Sequence, residues 1–177
     1  MKVKFLFWRN SVGFNVPLRP LPKYPKLIVF DFDGVFTDNR VLVHQDGSEA
    51  VWCSRADGLG IARLSEKRIP MIVLSTEENP VVSARCKKLG LTCYQGIADK
   101  YQTLKRIVRK KGIHPKEVLY VGNDINDLKC MEWVGYGVAV KDAYPLVLAK
   151  AKRVLERKGG RGAVRELCDL ILQTPSN

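Results

Sequence analysis

The sequence predicts an α/β fold in which helices cover both faces of a parallel sheet. Short apolar runs alternate with helical segments from residue 26 onwards, and this alternation is typical of parallel strands joined by crossover helices. The 177 residues, 46% hydrophobic and 27% charged, are sufficient for one domain with its own core. A strong turn signal at Asp46-Gly47 adds a small β-hairpin before the first helix.

The strands are predicted where short apolar runs are bounded by turn residues. In chain order they are residues 27–30, the hairpin runs 41–44 and 50–53, and then 70–74, 91–94, 118–121 and 137–140. Helices are predicted from apolar residues at helical spacing over 57–67, 80–89, 100–111, 127–134 and 161–172. Asp57 is the expected N-cap of the first helix, and Gly90 is expected to end the second.

Residues 1–25 differ from the remainder of the chain. Four prolines recur in this segment: Pro17, Pro20, Pro22 and Pro25. Closely spaced prolines favour extended backbone, so the segment is predicted to be an arm or linker that precedes a domain over 26–177.

The composition limits the partners and the compartment. A formal net charge of +12 predicts attraction to anions, which are found in nucleic acid, anionic membranes and phosphorylated or carboxylated metabolites. No nucleic-acid motif accompanies the cations, and the basic cluster at 105–111 is interpreted as a solvated helix face. Five cysteines without a Cys-x-x-Cys pair indicate reduced thiols in a cytoplasmic protein. The N-terminal apolar run, residues 5–8, is too short for a signal peptide, and no membrane-spanning segment is expected.

The octet DFDGVFTD, which begins at Asp31, is the most informative motif. Asp31 and Asp33 follow the apolar run 27–30, and buried carboxylates at a strand end favour a bound divalent cation such as Mg²⁺. Gly34 lets the backbone turn and a ligand approach closely. A calcium loop is excluded because its twelfth position is Leu42 instead of Glu, whereas an ordinary turn remains the plainer alternative.

Two further strands end in polar residues that suit phosphate chemistry. Ser75 and Thr76 follow the second buried strand, before a predicted helix, and Asn123 and Asp124 follow the third. Lys100 begins a helix between them and could neutralise both a carboxylate and a phosphoryl oxygen. Each part alone has a plainer interpretation: a helix cap, a solvated lysine or a turn. Their order and their placement at strand ends together predict one phosphate site.

These motifs resemble those of the haloacid dehalogenase-like phosphatases over residues 26 to about 172. The stretches RADGLGI from Arg55 and GGRGAVRE from Gly159 resemble one small branch in particular. That branch hydrolyses the 8-phosphate of 3-deoxy-octulosonate or 9-phosphates of nonulosonates (sialic-acid-like sugar acids), and its domains also occur fused to sugar-acid cytidylyltransferases. The resemblance implies a Rossmann-like sheet, no separate cap domain and a cytidylyltransferase as a possible associate.

The resemblance also implies residue roles. Asp31 would be the nucleophile that forms an aspartyl-phosphate, and Asp33 would act as general acid and then general base. Ser75 and Thr76 would hold the phosphoryl group, and Lys100 would stabilise its charge. The bound cofactor would be Mg²⁺, with Asp31 and Asp33 among its ligands.

Two departures from the family pattern bear on metal and substrate. Asn123 stands where relatives have an aspartate that ligates magnesium, so metal affinity is expected to be lower unless Asp124 or Asp127 compensates. The sequence leaves open which of these three residues ligates the metal. Thr76 and Glu77 replace the family's Gly and cation, which favours a nonulosonate over an octulosonate.

The resemblance finally bears on assembly. Hairpins of this kind join relatives into tetramers, which makes Val51 and Trp52 candidate contacts of a homotetramer, although they could equally pack internally. Arg161, and with it Arg55, could contact the substrate carboxylate. The alternative to a phosphatase is a catalytically weakened module that serves assembly beside a cytidylyltransferase.

Overall fold

The structure is a computed structural model that describes residues 7–9, 15–17, 21–22 and 24–174. Its strands are β1 (Phe7–Arg9), β2 (Asn15–Pro17), β3 (Leu27–Phe30), β4 (Thr37–Val43), β5 (Glu49–Cys53), β6 (Met71–Leu74), β7 (Thr92–Tyr94), β8 (Val118–Gly122), β9 (Tyr136–Ala139) and β10 (Arg153–Val154). Its α-helices are α1 (Arg55–Glu66), α2 (Val81–Leu89), α3 (Lys100–Lys110), α4 (Leu128–Trp133), α5 (Pro145–Lys150) and α6 (Ala163–Gln173). Short 3₁₀ turns span Pro115–Glu117 and Ile125–Asp127.

Six strands form a parallel sheet in the order β10-β9-β8-β3-β6-β7, and β4 and β5 form a separate antiparallel hairpin. The predicted α/β architecture is therefore confirmed. From β3 the chain first adds β6 and β7 on one side of the sheet, and then crosses back to add β8, β9 and β10 on the other side. Because each crossover is right-handed, α1 and α2 cover one face of the sheet, and α3, α4 and α5 cover the opposite face. Helix α6 returns to pack against α1. The short elements α5 and β10 were not predicted.

The register of the sheet brings three strand ends to one edge. Phe30 at the end of β3 pairs with Val73 of β6 and with Val121 of β8. The residues that follow these strands therefore lie side by side. This edge lies outside the carboxyl ends of the strands and near the point where the chain reverses direction, which is where ligands bind in open α/β sheets.

The start of α1 corrects one prediction. Ser54, and not Asp57, is its N-cap, and the Ser54 side chain accepts a hydrogen bond from the amide of Ala56. Asp57 lies in the first turn and is fully buried, and its carboxylate accepts the amide of Arg165 near the start of α6. The end of α2 is as predicted, with Gly90 in the left-handed conformation at φ 67°.

The predicted arm, residues 1–25, is only partly described. Strands β1 and β2 pair antiparallel within it. Leu21 and Pro25 are buried. The boundary at residue 26 stays an interpretation, and Pro20 is among the parts of the arm that lie outside the described residues.

Two observations concern the cysteines and the helices. All five cysteines are free thiols. No helix among the described residues is long and apolar enough to cross a membrane.

Candidate active site

Asp31 and Lys100 form a buried ion pair at the carboxyl edge of the sheet. Asp31 directly follows β3, and Lys100 is the first residue of α3. The distance from Lys100 Nζ to Asp31 Oδ1 is 2.7 Å. Asp31 is only 5% exposed and Lys100 only 3%, so the interpretation of Lys100 as a solvated surface lysine is wrong. The main-chain amide of Phe32 donates to the same Asp31 oxygen at 2.7 Å.

Asp127 is the second partner of Lys100. Lys100 Nζ lies 2.9 Å from Asp127 Oδ1, and Tyr120 donates its hydroxyl proton to the same oxygen at 2.7 Å. The other oxygen accepts the main-chain amides of Asn123 and Asp124, at 3.0 and 3.3 Å. The sequence suggested Asp127 only as a spare metal ligand. Its four donors leave it as an anchor for Lys100 instead.

Asp33 is half-buried beside this pair. The Thr37 hydroxyl donates to Asp33 Oδ1 at 3.3 Å and itself accepts the amides of Gly34 and Asn39. Burial raises the pKa of the Asp33 carboxyl above its usual value, and the nearby Glu77 carboxylate adds to the rise, against the lowering effect of the Thr37 hydrogen bond. A raised pKa favours the protonated form that a general acid needs. Thr37 was not singled out from the sequence, although its place in the octet is a signal.

The side chain of Asn123 points into the same edge with one oxygen unsatisfied. Asn123 is buried, and its Oδ1 has no hydrogen-bond partner among the described residues. Gly34 packs directly against the Asn123 amide at φ 74°, and a Cβ at Gly34 would overlap it. A buried carbonyl oxygen without a donor is costly, and a cation is a natural partner for it.

The oxygen ligands available at this edge fit Mg²⁺, although only one of them carries a charge. In the part of the chain that the structure describes, no three His, Cys, Asp or Glu side chains converge as a metal site. A cation here would therefore depend on the Asp31 carboxylate together with neutral oxygens, the Asn123 Oδ1 and the main-chain carbonyl of Asp33. These are the hard oxygen ligands that Mg²⁺ prefers, with room left for water and phosphate.

Ser75 follows β6 and is held by main-chain contacts with the end of β7 and the loop after it. Its amide donates to the carbonyl of Tyr94, and its carbonyl accepts the amide of Ile97. The Ser75 hydroxyl accepts the amide of Glu77 at 3.1 Å. Helix α2 starts at Val81, close to its predicted start at Pro80, so a loop separates it from Thr76. Ser75 therefore does not cap α2, and it is presented by a loop.

The charge balance of the edge is incomplete. Burial raises the pKa of Asp31 to about 8, and repulsion from Asp127 adds to the rise, although Lys100 opposes it. Burial by itself would lower the pKa of Lys100, but attraction to the two aspartates raises it above its ordinary value. Two carboxylates thus share one ammonium group. A further cation would lower the pKa of Asp31 and leave it ionised as a nucleophile.

A cavity of about 310 Å³ opens beside Asp33. Its lining residues are Asp33, Asn39, Arg40, Val41, Glu49, Val51, Thr76, Glu77 and Val81. Thr76 is exposed here, next to the proposed acid. Three carboxylates and one guanidinium make this cavity polar, which suits the hydroxyl-rich part of a sugar. Arg40 and Glu49 were not predicted, because only the folding of the hairpin brings them to Asp33.

The side chains of three predicted site residues contact neither Asp31 nor Lys100 in the hydrogen bonds and ion pairs of the described residues. Asp124 is exposed, and its carboxylate accepts the amide of Ile125 at 2.7 Å. Arg161 is largely exposed, and its Nη2 lies 3.6 Å from Asp38 Oδ2. It lines a separate cavity of about 510 Å³. Arg55 is exposed at the start of α1. Neither arginine lines the cavity beside Asp33.

Comparison with known proteins identifies the family. A model of the haloacid dehalogenase-like hydrolases matches residues 83–167. The 3-deoxy-D-manno-octulosonate 8-phosphate phosphatase KdsC of Escherichia coli (strain K12) is 38% identical over 148 residues, which cover 83% of this chain and 79% of KdsC. The chain belongs to the haloacid dehalogenase-like hydrolases. Within this family it is a phosphatase.

Solved structures of haloacid dehalogenase-like proteins superimpose on most of the chain. A family member from Streptomyces avermitilis is 47% identical, with a TM-score of 0.84 and coverage of 86% of this chain and 88% of that one. The 3-deoxy-D-manno-octulosonate 8-phosphate phosphatase of Moraxella catarrhalis, in complex with magnesium, phosphate and KDO, is 32% identical with a TM-score of 0.83, and the match covers 86% and 88% of the two chains. The predicted cofactor, Mg²⁺, is the metal that phosphatases of this family use.

Proposed function

We propose that this phosphatase hydrolyses the phosphate ester of a keto-sugar acid through a phosphorylated Asp31. The proposal rests on the buried contact of 2.7 Å between Asp31 Oδ1 and Lys100 Nζ. This contact lies at the edge of the sheet where Asp33, Ser75 and Asn123 also lie. The names of the Escherichia coli and Moraxella catarrhalis relatives support an octulosonate 8-phosphate as the substrate.

The chemistry follows from the placement of four side chains. An Asp31 oxygen attacks phosphorus, the bond from phosphorus to the sugar oxygen breaks, and Asp33 gives its proton to the leaving oxygen. Lys100 and Ser75 hold the phosphoryl oxygens during the transfer. Asp33, now ionised, then takes a proton from water, and the resulting hydroxide releases phosphate and restores Asp31.

Asp31, the Asp33 carbonyl and Asn123 would hold Mg²⁺ in this reaction. When bound, the ion supplies positive charge that screens the repulsion between the nucleophilic carboxylate and the phosphate. Asn123 contributes an amide oxygen without charge, so the site binds the ion less tightly than one with a second carboxylate.

A nonulosonate 9-phosphate is the second candidate substrate, and Glu77 favours it. Glu77 and Thr76 line the cavity beside Asp33, where the family pattern has Gly and a cation. A carboxylate at this place accepts hydrogen bonds from hydroxyl or amide groups. The longer, more hydroxylated chain of a nonulosonate fits such a lining.

The test is a phosphate-release assay on octulosonate 8-phosphate, nonulosonate 9-phosphates and neutral sugar phosphates, with Mg²⁺ and with EDTA. We expect magnesium-dependent release from a keto-sugar acid phosphate and none from the Asp31→Asn variant. Retained turnover in this variant would disprove the nucleophile. Failure of the wild type on every ester would favour the alternative of a weakened accessory module, in which Asn123 marks a reduced metal site.

We also propose that the hairpin joins copies of the chain into a homotetramer. Trp52 is 70% exposed, and Val41, Leu42 and Val43 on the opposite strand are also exposed. Exposed apolar side chains on a two-stranded hairpin are typical of an interface. Light scattering should report four copies for the wild type and fewer for Trp52→Lys, whereas Leu146→Lys on α5, also at an exposed apolar residue, should not change assembly.

Association with a cytidylyltransferase and a cytoplasmic location stay predictions. A mixture of this protein with a sugar-acid cytidylyltransferase, followed by size-exclusion chromatography, would test the first. Fractionation of the cells that make the protein would test the second.

A further inference from the structure

Tyr120 is a fully buried tyrosine whose hydroxyl reaches the active site from the interior of the sheet. It lies in the middle of β8 and is 0% exposed. Its hydroxyl donates to Asp127 Oδ1 at 2.7 Å, the same oxygen that Lys100 Nζ approaches at 2.9 Å. A phenylalanine would fill the same core volume, so packing alone does not account for the hydroxyl.

The hydrogen bonds of Asp127 fix the orientation of its carboxylate. Two main-chain amides of the loop after β8 hold Oδ2, and the Tyr120 hydroxyl holds Oδ1. These three donors belong to the backbone and to a ring enclosed in the core, so they do not move with the ligand. Lys100 is the fourth donor and has a long, flexible side chain. The direction of Lys100 is therefore set by a carboxylate that the other three donors immobilise.

This orientation matters because the other partner of Lys100 changes during the reaction. Under the proposed function, Asp31 carries the phosphoryl group after the first step and no longer offers a free carboxylate to Lys100. Asp127 is then the remaining anionic anchor of the ammonium group. Without a fixed Asp127, Lys100 would be free to leave the phosphoryl oxygens between the two steps.

We infer that Tyr120 is a positioning residue: its hydroxyl holds the Asp127 carboxylate so that Lys100 stays directed at the phosphoryl group in both steps. This inference rests on the proposed function of Asp31 and Lys100. Tyr120 thus affects the rate of phosphoryl transfer from the interior of the sheet, although it touches neither substrate nor metal.

A double-mutant cycle tests the inference with p-nitrophenyl phosphate and Mg²⁺. This probe needs no protonation of its leaving group and no sugar-acid recognition, so it reports on Asp31 and Lys100. Tyr120→Phe removes one hydrogen bond and should lower kcat about tenfold with little change in KM. Asp127→Asn should lower kcat further. The double variant should be no slower than Asp127→Asn alone, because Tyr120 acts through Asp127.

Leu119→Val is the matched control for a merely structural effect. It removes a methylene group from the neighbouring buried residue of β8 and should lower the melting temperature while kcat is retained. The inference is overturned if Tyr120→Phe keeps the wild-type kcat, if its effect multiplies with that of Asp127→Asn, or if Leu119→Val loses the same fraction of kcat.

A binding measurement separates this inference from the proposed function. Beryllofluoride mimics a phosphoryl group on a carboxylate, and with Mg²⁺ it should raise the melting temperature of the wild type. The rise should be smaller in Tyr120→Phe, and an equal rise would contradict the inference. If the wild type turns over no ester, the proposed function fails, and the beryllofluoride comparison still decides the role of Tyr120.

Discussion

Two regions of the molecule bury aspartates, and they treat the charge differently. At the carboxyl edge of the sheet, Asp31 and Asp127 share Lys100 at 2.7 and 2.9 Å. At the contact between α1 and α6, Asp57 accepts only the amide of Arg165, and its Oδ2 has no partner among the described residues. In the first region one cation contacts both carboxylates, whereas Asp57 has no ion pair among the described residues and is compensated only in part, by attraction to Arg85 and Arg157.

The difference shows which region is built to receive a ligand. The sheet edge still has an excess of carboxylate charge, an unsatisfied amide oxygen at Asn123 and an adjacent cavity. At the helix contact, Asp57 is fully buried and Gly60 packs closely against Cys168. Burial raises the pKa of Asp57 to about 6. The excess carboxylate charge at the sheet edge fits a cation site, whereas the buried charge of Asp57 is a cost to stability.

The largest effect is expected from Lys100→Met. This change leaves two buried carboxylates without the cation that they share, and breaking a buried pair typically costs about 3–5 kcal/mol. Phosphate release should be lost as well. Urea unfolding checks the stability, with the surface variant Lys110→Met on the same helix as control. A Lys100→Met protein as stable as the wild type would show that the two regions do not differ in this way.

A methyl group added at Gly34, beside Asn123, should reduce activity more than one added at Gly47 in the hairpin turn. Gly34→Ala places a methyl group against Asn123, whereas Gly47→Ala at φ 82° has no atom within 4 Å. Both variants should lose about 1–2 kcal/mol from the left-handed backbone. Only Gly34→Ala should also lose magnesium-dependent phosphate release, by about tenfold or more. Equal activities of the two variants would mean that the space beside Asn123 is not used.

Asp57→Asn should stabilise the protein above neutral pH. The pKa of the Asp57 carboxyl is about 6 in the folded chain, above its ordinary value of 3.8, so folding favours its protonated form. The contribution of Asp57 to the unfolding free energy therefore falls as pH rises through this interval. At about pH 7.5 the asparagine variant should gain about 2 kcal/mol over the wild type, and near pH 4 almost nothing. Urea unfolding at both pH values measures this, and a gain that does not depend on pH would contradict it.

The smallest effect concerns Asn123→Asp. A carboxylate in place of the amide adds charge to the magnesium site, so the affinity for Mg²⁺ should rise about tenfold, equal to about 1.4 kcal/mol. Calorimetric titration with Mg²⁺ in the absence of substrate checks the affinity directly. An unchanged affinity would indicate that Asn123 does not contact the ion.

The sequence predicted those parts of the site that depend on strand ends. Because parallel strands bring their carboxyl ends to one edge, the runs before Asp31, Ser75 and Asn123 were sufficient to place these residues together. The position of Lys100 followed from its helix start, and the structure confirms its contact with Asp31.

The remainder depended on contacts that no local pattern contains. The cap of α1 was wrongly assigned to Asp57. The group that its carboxylate binds, the amide of Arg165, is 108 residues away in the chain, so no local pattern reveals it. The role of Asp127 depends on the side chains of Tyr120 and Lys100, which approach it from a strand and a helix. The strand β10 and the helix α5 are too short for a periodic signal.

The most direct measurement is the mass of the Asp31 peptide after the enzyme is mixed with substrate and quenched in acid. We expect a phosphoryl group on Asp31 in the wild type with Mg²⁺, and none in Asp31→Asn or in EDTA. Magnesium-dependent phosphate release with the Asp31 peptide unmodified, or a phosphoryl group on another residue, would contradict the account.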